Sequence, residues 1–360
     1  RFRSIRSIRS TTSPAILNSI ASLSPGRPFF CAVSPLLTAM AGHDPLDPST
    51  SRREVPDYAA AIPSPAAAGS TPLRGVRLGV PRGFFDPPVQ EDVVTRITEA
   101  YGVLESLGAE LVEVDLTTAS ITSAALRAVM GAEATVSHLE RLRERAHDYA
   151  PHTRRTVLIG SAIGAGEYLR GQRLRERVRR EFAAAMATVD AMVWPSAMRT
   201  AFAVDEPQAW SGQQTRLSNL TGTPSLSVPA GLSRLGLPIG LQINGRPFDE
   251  AMLFRVGAAF EDATEHHLAR PDVKLVEPAK PGQQFAEVPR PPEATDAELD
   301  RARDDVRRGL ALHGLPLLPE DLDPLAFELY ALRRDLDAAE VGAVAGVNVE
   351  PAVLQGPFGG

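Results

Sequence analysis

Between residues 76 and 116 the apolar positions change period twice. Val76-Arg77-Leu78-Gly79-Val80 is a short run that ends at Pro81 and Gly83, as a buried strand does on leaving its sheet. Val89, Val93, Ile97, Tyr101 and Leu104 then recur every three or four residues, the spacing of one helix face, and Gly108 closes that helix. Ala109 to Leu116 is again an apolar run of strand length. Two strands joined through a helix in this way lie parallel with a right-handed crossover, which commits the chain to an α/β fold.

The rest of the central region fits that commitment. Two long helical stretches follow, about Ser120 to Ala146 and Gly166 to Val189, and in the second Leu174, Val178, Phe182 and Met186 make a core stripe. Asp190 to Trp194 reads as a buried strand stopped by Pro195, Gln213 to Leu220 as a helix, and Pro224 to Val228 and Ile239 to Ile243 as strands. Glu250 to Thr264 is a helix with Leu253, Val256 and Phe260 inward. The sum is a mixed sheet covered by helices.

Both ends differ from this centre. Residues 1–35 carry five arginines, many serines and no carboxylate before Asp44, a composition shared with mitochondrial transit peptides. The first methionine is Met40 and the isoleucines make no sustained helical stripe, so the segment reads as a disordered tail or as the product of an aberrant reading frame. Past residue 275, Pro278, Pro281, Pro289, Pro291 and Pro292 make 276–295 a semi-rigid linker. Thr295 or Asp296 caps a charged helix to about Leu312, and Pro319 opens another to about Ala339 whose Leu325, Leu329, Leu332 and Leu336 form an apolar stripe. A helix pair over 296–341 is too small to stand alone and is expected to dock on the main body or on a partner, with 342–360 as coil.

Several function classes fall away. No stretch approaches the roughly 18 to 20 consecutive apolar residues of a membrane span, so a soluble, cytoplasmic protein is expected. The net charge of -6 gives no overall footprint for nucleic acid. Six arginines between Arg170 and Arg180 lie among Glu176 and Glu181 and read as a solvated helix face rather than a phosphate-binding one. One cysteine, Cys31, allows no internal disulfide and no thiolate set for zinc. His266 and His267 are adjacent without ligand spacing and read as surface residues; no metal and no cofactor is expected. Neither a GxGxxG loop after the first strand, nor a GxxxxGK[ST] loop, nor a GxSxG elbow occurs. Ser161 sits among small residues in a helical region without a base at a fixed offset, which makes it a poor nucleophile.

The stretch Asn219 to Glu250, NLTGTPSLSVPAGLSRLGLPIGLQINGRPFDE, resembles the closing block of the amidase signature family. Three further blocks agree in order: AGHDPLDP at 41–48, LRGVRLGVPRGFF at 73–85 and DAMVWPS at 190–196, the last preceded by the matching helix EYLRGQRLRERVRREF. The resemblance covers about residues 36–275. It implies hydrolysis or transfer at a carboxamide by a serine nucleophile, a second serine in a cis peptide and a lysine base. Such a lysine must be buried or placed beside a cation for its pKa to fall toward neutrality, and backbone N–H groups of a Gly/Ser-rich loop would hold the oxyanion.

The departure from the family pattern is as informative as the match. The family's lysine and its GGSSGGS-type loop lie upstream of the AGHDP segment, and the residues before that segment here contain no lysine, no Ser-Ser pair and no Gly-Gly pair. The chain has only Lys274 and Lys280, both at the Pro-rich linker. The expectation is therefore the C-terminal half of an amidase, inactive alone, without a catalytic residue of its own. What remains is the substrate side. The resemblance places Arg154 where some members face substrate with an arginine, and Asn219 and Gln242 are polar residues inside motif blocks that read as buried. Glutamine-using members carry an acid shortly before the NLTG block, where this chain has Trp210-Ser211-Gly212-Gln213, which weakens an amidotransferase reading. The alternative is a non-catalytic interaction module, a partner of a complete amidase or amidotransferase, homo-oligomeric or bound to a small helical partner through 296–341.

Overall fold

The computed structural model describes residues 30–62, 70–82, 89–117, 121–202, 213–269 and 288–341. Its first helix, α1 (Phe30–Met40), starts inside the 1–35 segment that the composition set apart, with Pro35 within it. Val33 and Leu37, four apart on one face, pack against the main core. The crossover unit follows as β1 (Arg77–Arg82), α2 (Glu91–Ser106) and β2 (Glu110–Asp115), with β1 and β2 parallel over their whole length.

Three helices lead to the next strand: α3 (Thr122–Arg145), α4 (Pro151–Leu158) and α5 (Ala165–Met186). Pro151 opens α4 where its missing N–H is no loss, which separates α4 from α3. Then come β3 (Ala191–Pro195), α6 (Gln213–Thr221), β4 (Ser225–Leu232), β5 (Pro238–Asn244) and α7 (Glu250–Thr264). The five strands form one mixed sheet in the order β2-β1-β3-β5-β4, parallel from β2 to β3 and antiparallel from β3 to β4.

Each sheet face has its own core. On one, Val193, Leu241, Ile243 and Val228 meet Ile97 and Leu104 of α2 and Phe254 and Phe260 of α7. On the other, Met192, Trp194 and Val114 meet Val178, Phe182 and Met186 of α5 and Leu217 of α6, so the C-terminal three members of the stripe read from the sequence of α5 face the sheet.

The last two helices, α8 (Asp296–His313) and α9 (Leu322–Val341), dock on this body. Thr295 and Glu298 close a capping box at the start of α8, and Gly314 ends it with φ 62°. Leu325 and Leu329 of α9 pack with Val157 and Leu158 of α4, while Leu332 and Leu336 pack with Ala124, Ala125 and Ala128 of α3 and Leu174 of α5. The leucine stripe is thus consumed within the chain. The proposed linker up to residue 287, and the whole of the tail, lie outside the described residues. Among the described residues no helix is long and apolar enough to cross a membrane.

Candidate functional site

Alternation along β5 sorts its side chains. Ile239, Leu241 and Ile243 enter the apolar core, so Gly240, Gln242 and Asn244 occupy the opposite face. The register sets Trp194 and Ser227 on either side of Gln242, and Met192 and Ser225 on either side of Asn244. On this face β4 therefore presents serine and β5 glutamine and asparagine, beside Met192 and Trp194 of β3.

Under α6 these groups form a buried network. Ser218 Oγ donates to Asn244 Oδ1 at 2.8 Å, and Gln242 Nε2 donates to the same oxygen at 2.8 Å. Gln242 Nε2 also lies 3.4 Å from Ser218 Oγ and from the Gln214 carbonyl. Gln242 is 3% exposed, so its burial is offset by real partners. Gln214 is fully buried, and neither its Nε2 nor its Oε1 has a hydrogen-bond partner among the described residues. An unmade bond of this kind costs on the order of 1–3 kcal/mol.

Where β3 ends, the same face opens to solvent. Ser196 Oγ and Ser227 Oγ lie 2.6 Å apart, and the Ser196 N–H donates to the Gly240 carbonyl. A Cβ on Gly240 would come within 2.8 Å of one hydroxyl and 2.9 Å of the other, so glycine makes the space for the pair. No histidine, lysine or carboxylate is bonded to either hydroxyl among the described residues. Two serines that only face each other share a proton without losing one, and neither is an activated nucleophile.

Of the site residues read from the sequence, only Gln242 joins this face. Asn219, expected to be buried, is exposed on α6. Arg154, 4% exposed, belongs to a separate network. Its Nε and Nη2 grip the carboxylate of Asp321 at 2.5 and 3.1 Å, Nη2 also reaches Glu320 at 3.0 Å, and Nη1 donates to the Tyr149 carbonyl. The bonds to Asp321 hold its pKa above the usual arginine value against the opposing effect of burial. Ser161 is buried with its hydroxyl on the Leu158 carbonyl, without a base. Lys274 and Lys280 lie outside the described residues.

Two expectations need correction. The arginine-rich side of α5 is not wholly a solvated face, because Arg170 pairs with Asp337 and Glu340 of α9 and Arg175 donates to the Leu220 carbonyl. His266 and His267 are half-buried, and burial lowers the pKa of His266. The Ser196–Ser227 pair does not stand out in the sequence, where the two are 31 residues apart. The signal that could have found it is the strand alternation Ser225-x-Ser227 opposite Gly240-x-Gln242.

Comparison with known proteins gives this arrangement a context. Residues 32–254 match the amidase family. A glutamyl-tRNA(Gln) amidotransferase subunit from Granulibacter bethesdensis is 36% identical over 259 residues, 63% of this chain and 50% of that protein. The protein of the same name from Thermosynechococcus vestitus is 34% identical over 289 residues, 72% of this chain and 58% of that one. The chain spans about half the length of the curated relatives it matches. Among solved structures, a bacterial aryl acylamidase of the amidase signature enzymes superposes with a TM-score of 0.56 at 23% identity, covering 67% of this chain and 54% of that one. Peptide amidase of Stenotrophomonas maltophilia does so at 0.53 and 24%, covering 68% and 53%. At those identities the two structures speak for the fold alone.

Proposed function

The chain belongs to the amidase family, and from that premise we propose that its complete form cleaves or transfers at a carboxamide C–N bond, with a small-molecule amide as substrate. The match over 32–254 carries this reading. The relatives above 30% identity are named as amidotransferase subunits, which agrees with chemistry at an amide. The amidotransferase names pull against the weakening read from Trp210 to Gln213, so the amide class is the level at which we state the function.

In this reading the 360 residues contribute a wall and not the reacting groups. Among the described residues the Ser196–Ser227 pair has no base bonded to it, and the sequence holds only two lysines, Lys274 and Lys280. A serine hydroxyl without a base stays protonated near neutral pH, and a lysine at its ordinary pKa is an ammonium there, with no lone pair to act as a base. The purified 360-residue chain is expected to release no ammonia from simple carboxamides and to take up no fluorophosphonate probe. Stoichiometric labelling of one serine, abolished by Ser196→Ala or Ser227→Ala, would overturn this reading.

A second reading is favoured by the exposed, uncharged strand β4 at the sheet edge. In it the chain is a non-catalytic partner of a complete amidase or amidotransferase. Co-purification of such an enzyme with the tagged chain, at a fixed ratio through gel filtration, would support it; recovery of the chain alone from its native host would count against it.

A further inference from the structure

At the end of the sheet where β3 begins, α5, the turn after α6 and the Arg246–Pro247 turn after β5 enclose a cleft of about 450 Å³. Its shape follows from α5. Phe182 and Met186 turn toward the sheet as part of the core stripe, while Ala183 and Ala187, one residue further round, have no side chains long enough to fill the neighbouring space. The apolar surface open to the cleft is therefore that of Ala183, Ala187 and Pro247, with the buried Phe182 and Met186 directly behind it.

The rim is cationic. Glu176 is the one carboxylate that lines the cleft, and two guanidiniums share it: Arg179 Nη1 at 3.2 Å and Arg180 Nε at 2.9 Å. One carboxylate cannot neutralise both, so this wall keeps an excess positive charge. Arg246 adds a third guanidinium. Its Nη2 donates to the carbonyls of Met186 and Val189 at the C-terminal end of α5, which masks the negative helix end that would otherwise repel an anion. Asp190 pairs with it only at 4.0 Å, and Asp249 interacts with it as well, so Arg246 is the most nearly compensated of the three. Thr221 and Thr223 complete the wall with hydroxyls 2.8 Å from each other.

An apolar floor under a rim short of negative charge selects one ligand class. A metal ion or an amine is repelled by the guanidiniums, a neutral apolar molecule leaves them unmatched, and a bare inorganic anion leaves the floor uncovered. We propose that this cleft binds a small organic carboxylate, its apolar body on Ala183, Ala187 and Pro247 and its head held by Arg179 and Arg180. A carboxylate offers the guanidinium fork a matched acceptor, and the volume falls in the range of roughly 300–1,000 Å³ found for small-molecule sites. The proposal stands whether or not the chain takes part in amide cleavage.

The test is calorimetric titration of the 360-residue chain with benzoate, benzyl alcohol and inorganic phosphate. Benzoate is expected to bind at one site, at least tenfold more tightly than benzyl alcohol or phosphate, with affinity that falls as salt rises. The double variant Arg179→Gln/Arg180→Gln, altered at half-buried and exposed positions that the fold can spare, should lose tenfold or more while keeping the wild-type circular dichroism. Glu176→Gln should bind benzoate more tightly, by about threefold, because it removes the carboxylate that competes for the same guanidiniums; a merely structural role for these residues predicts no gain. No saturable benzoate binding, equal binding of benzyl alcohol or phosphate, or affinity unchanged in the double arginine variant would each overturn the proposal.

Discussion

A guanidinium that is 4% exposed needs a partner at every edge, and Arg154 has one. Asp321, itself fully buried, meets it with both oxygens, and Glu320 and the Tyr149 carbonyl take what remains. Desolvating two charges costs several kcal/mol, which the pairing offsets without a large surplus, so the bridge specifies where the turn at 319–321 docks more than it adds stability. The asymmetry appears when one partner is removed. Asp321→Ala should destabilise the fold by about 3–5 kcal/mol in urea unfolding, because Arg154 is left charged in a closed site. Arg154→Met/Asp321→Leu should recover most of that loss. A loss below about 1 kcal/mol for Asp321→Ala would mean that Arg154 finds water or another acceptor there.

At the scale of elements, α8 and α9 share core clusters with α3, α4 and α5. Gly309 of α8 lies so close to the turn at Ile159–Ala162 that an added Cβ would stand 2.2 Å from the Ser161 carbonyl oxygen. Helix propensity alone predicts that alanine here gains about 1 kcal/mol. Backbone cannot yield as a side-chain tip can, and overpacking of this kind costs about 1–3 kcal/mol or more. Gly309→Ala is therefore expected to lower the thermal midpoint, and a raised midpoint would show that α8 is only loosely laid on the body. Most elements are legible in the sequence because they are local: the switch from strand to helix spacing at Val89, the stripe on α5 and the Thr295 cap all lie within a few residues. The helix α1, which contains Pro35, is not, and neither is the separation of α4 from α3 at Pro151. The polar face is illegible for a different reason. Its members come from β3, β4, β5 and α6, and sheet register, which no single segment encodes, sets Ser196 against Ser227 and Gln242 under Ser218. Burial of Arg154 is equally remote, since its acid lies 167 residues away on a turn that the family blocks do not include.

The whole molecule presents two sheet edges of opposite character. The outer strand β2 carries Glu110, Glu113 and Asp115, all exposed, so a second copy brought edge to edge with it would meet like charge. The outer strand β4 has no charged residue from Ser225 to Leu232. Pro229 offers no N–H, and the irregular pairing between Pro229 and Leu232 twists that end away, which leaves Ser225 to Val228 as the open length. Four uncharged residues, of which alternate ones turn their backbone groups away from β5, are enough to template weak pairing and too few for a rigid interface. The chain is therefore expected to associate with itself in a concentration-dependent manner, through β4 and not through β2. Sedimentation velocity should show the average mass rising with concentration for the wild type, no change for Glu113→Gln, and a shift toward monomer for Ser225→Lys, whose charge on an exposed edge position repels its symmetry mate. A wild-type chain that remains monomeric across the whole concentration range with a sharp cooperative melt would show that the β4 edge is closed in solution, and a Glu113→Gln variant that associates more than the wild type would move the contact to β2.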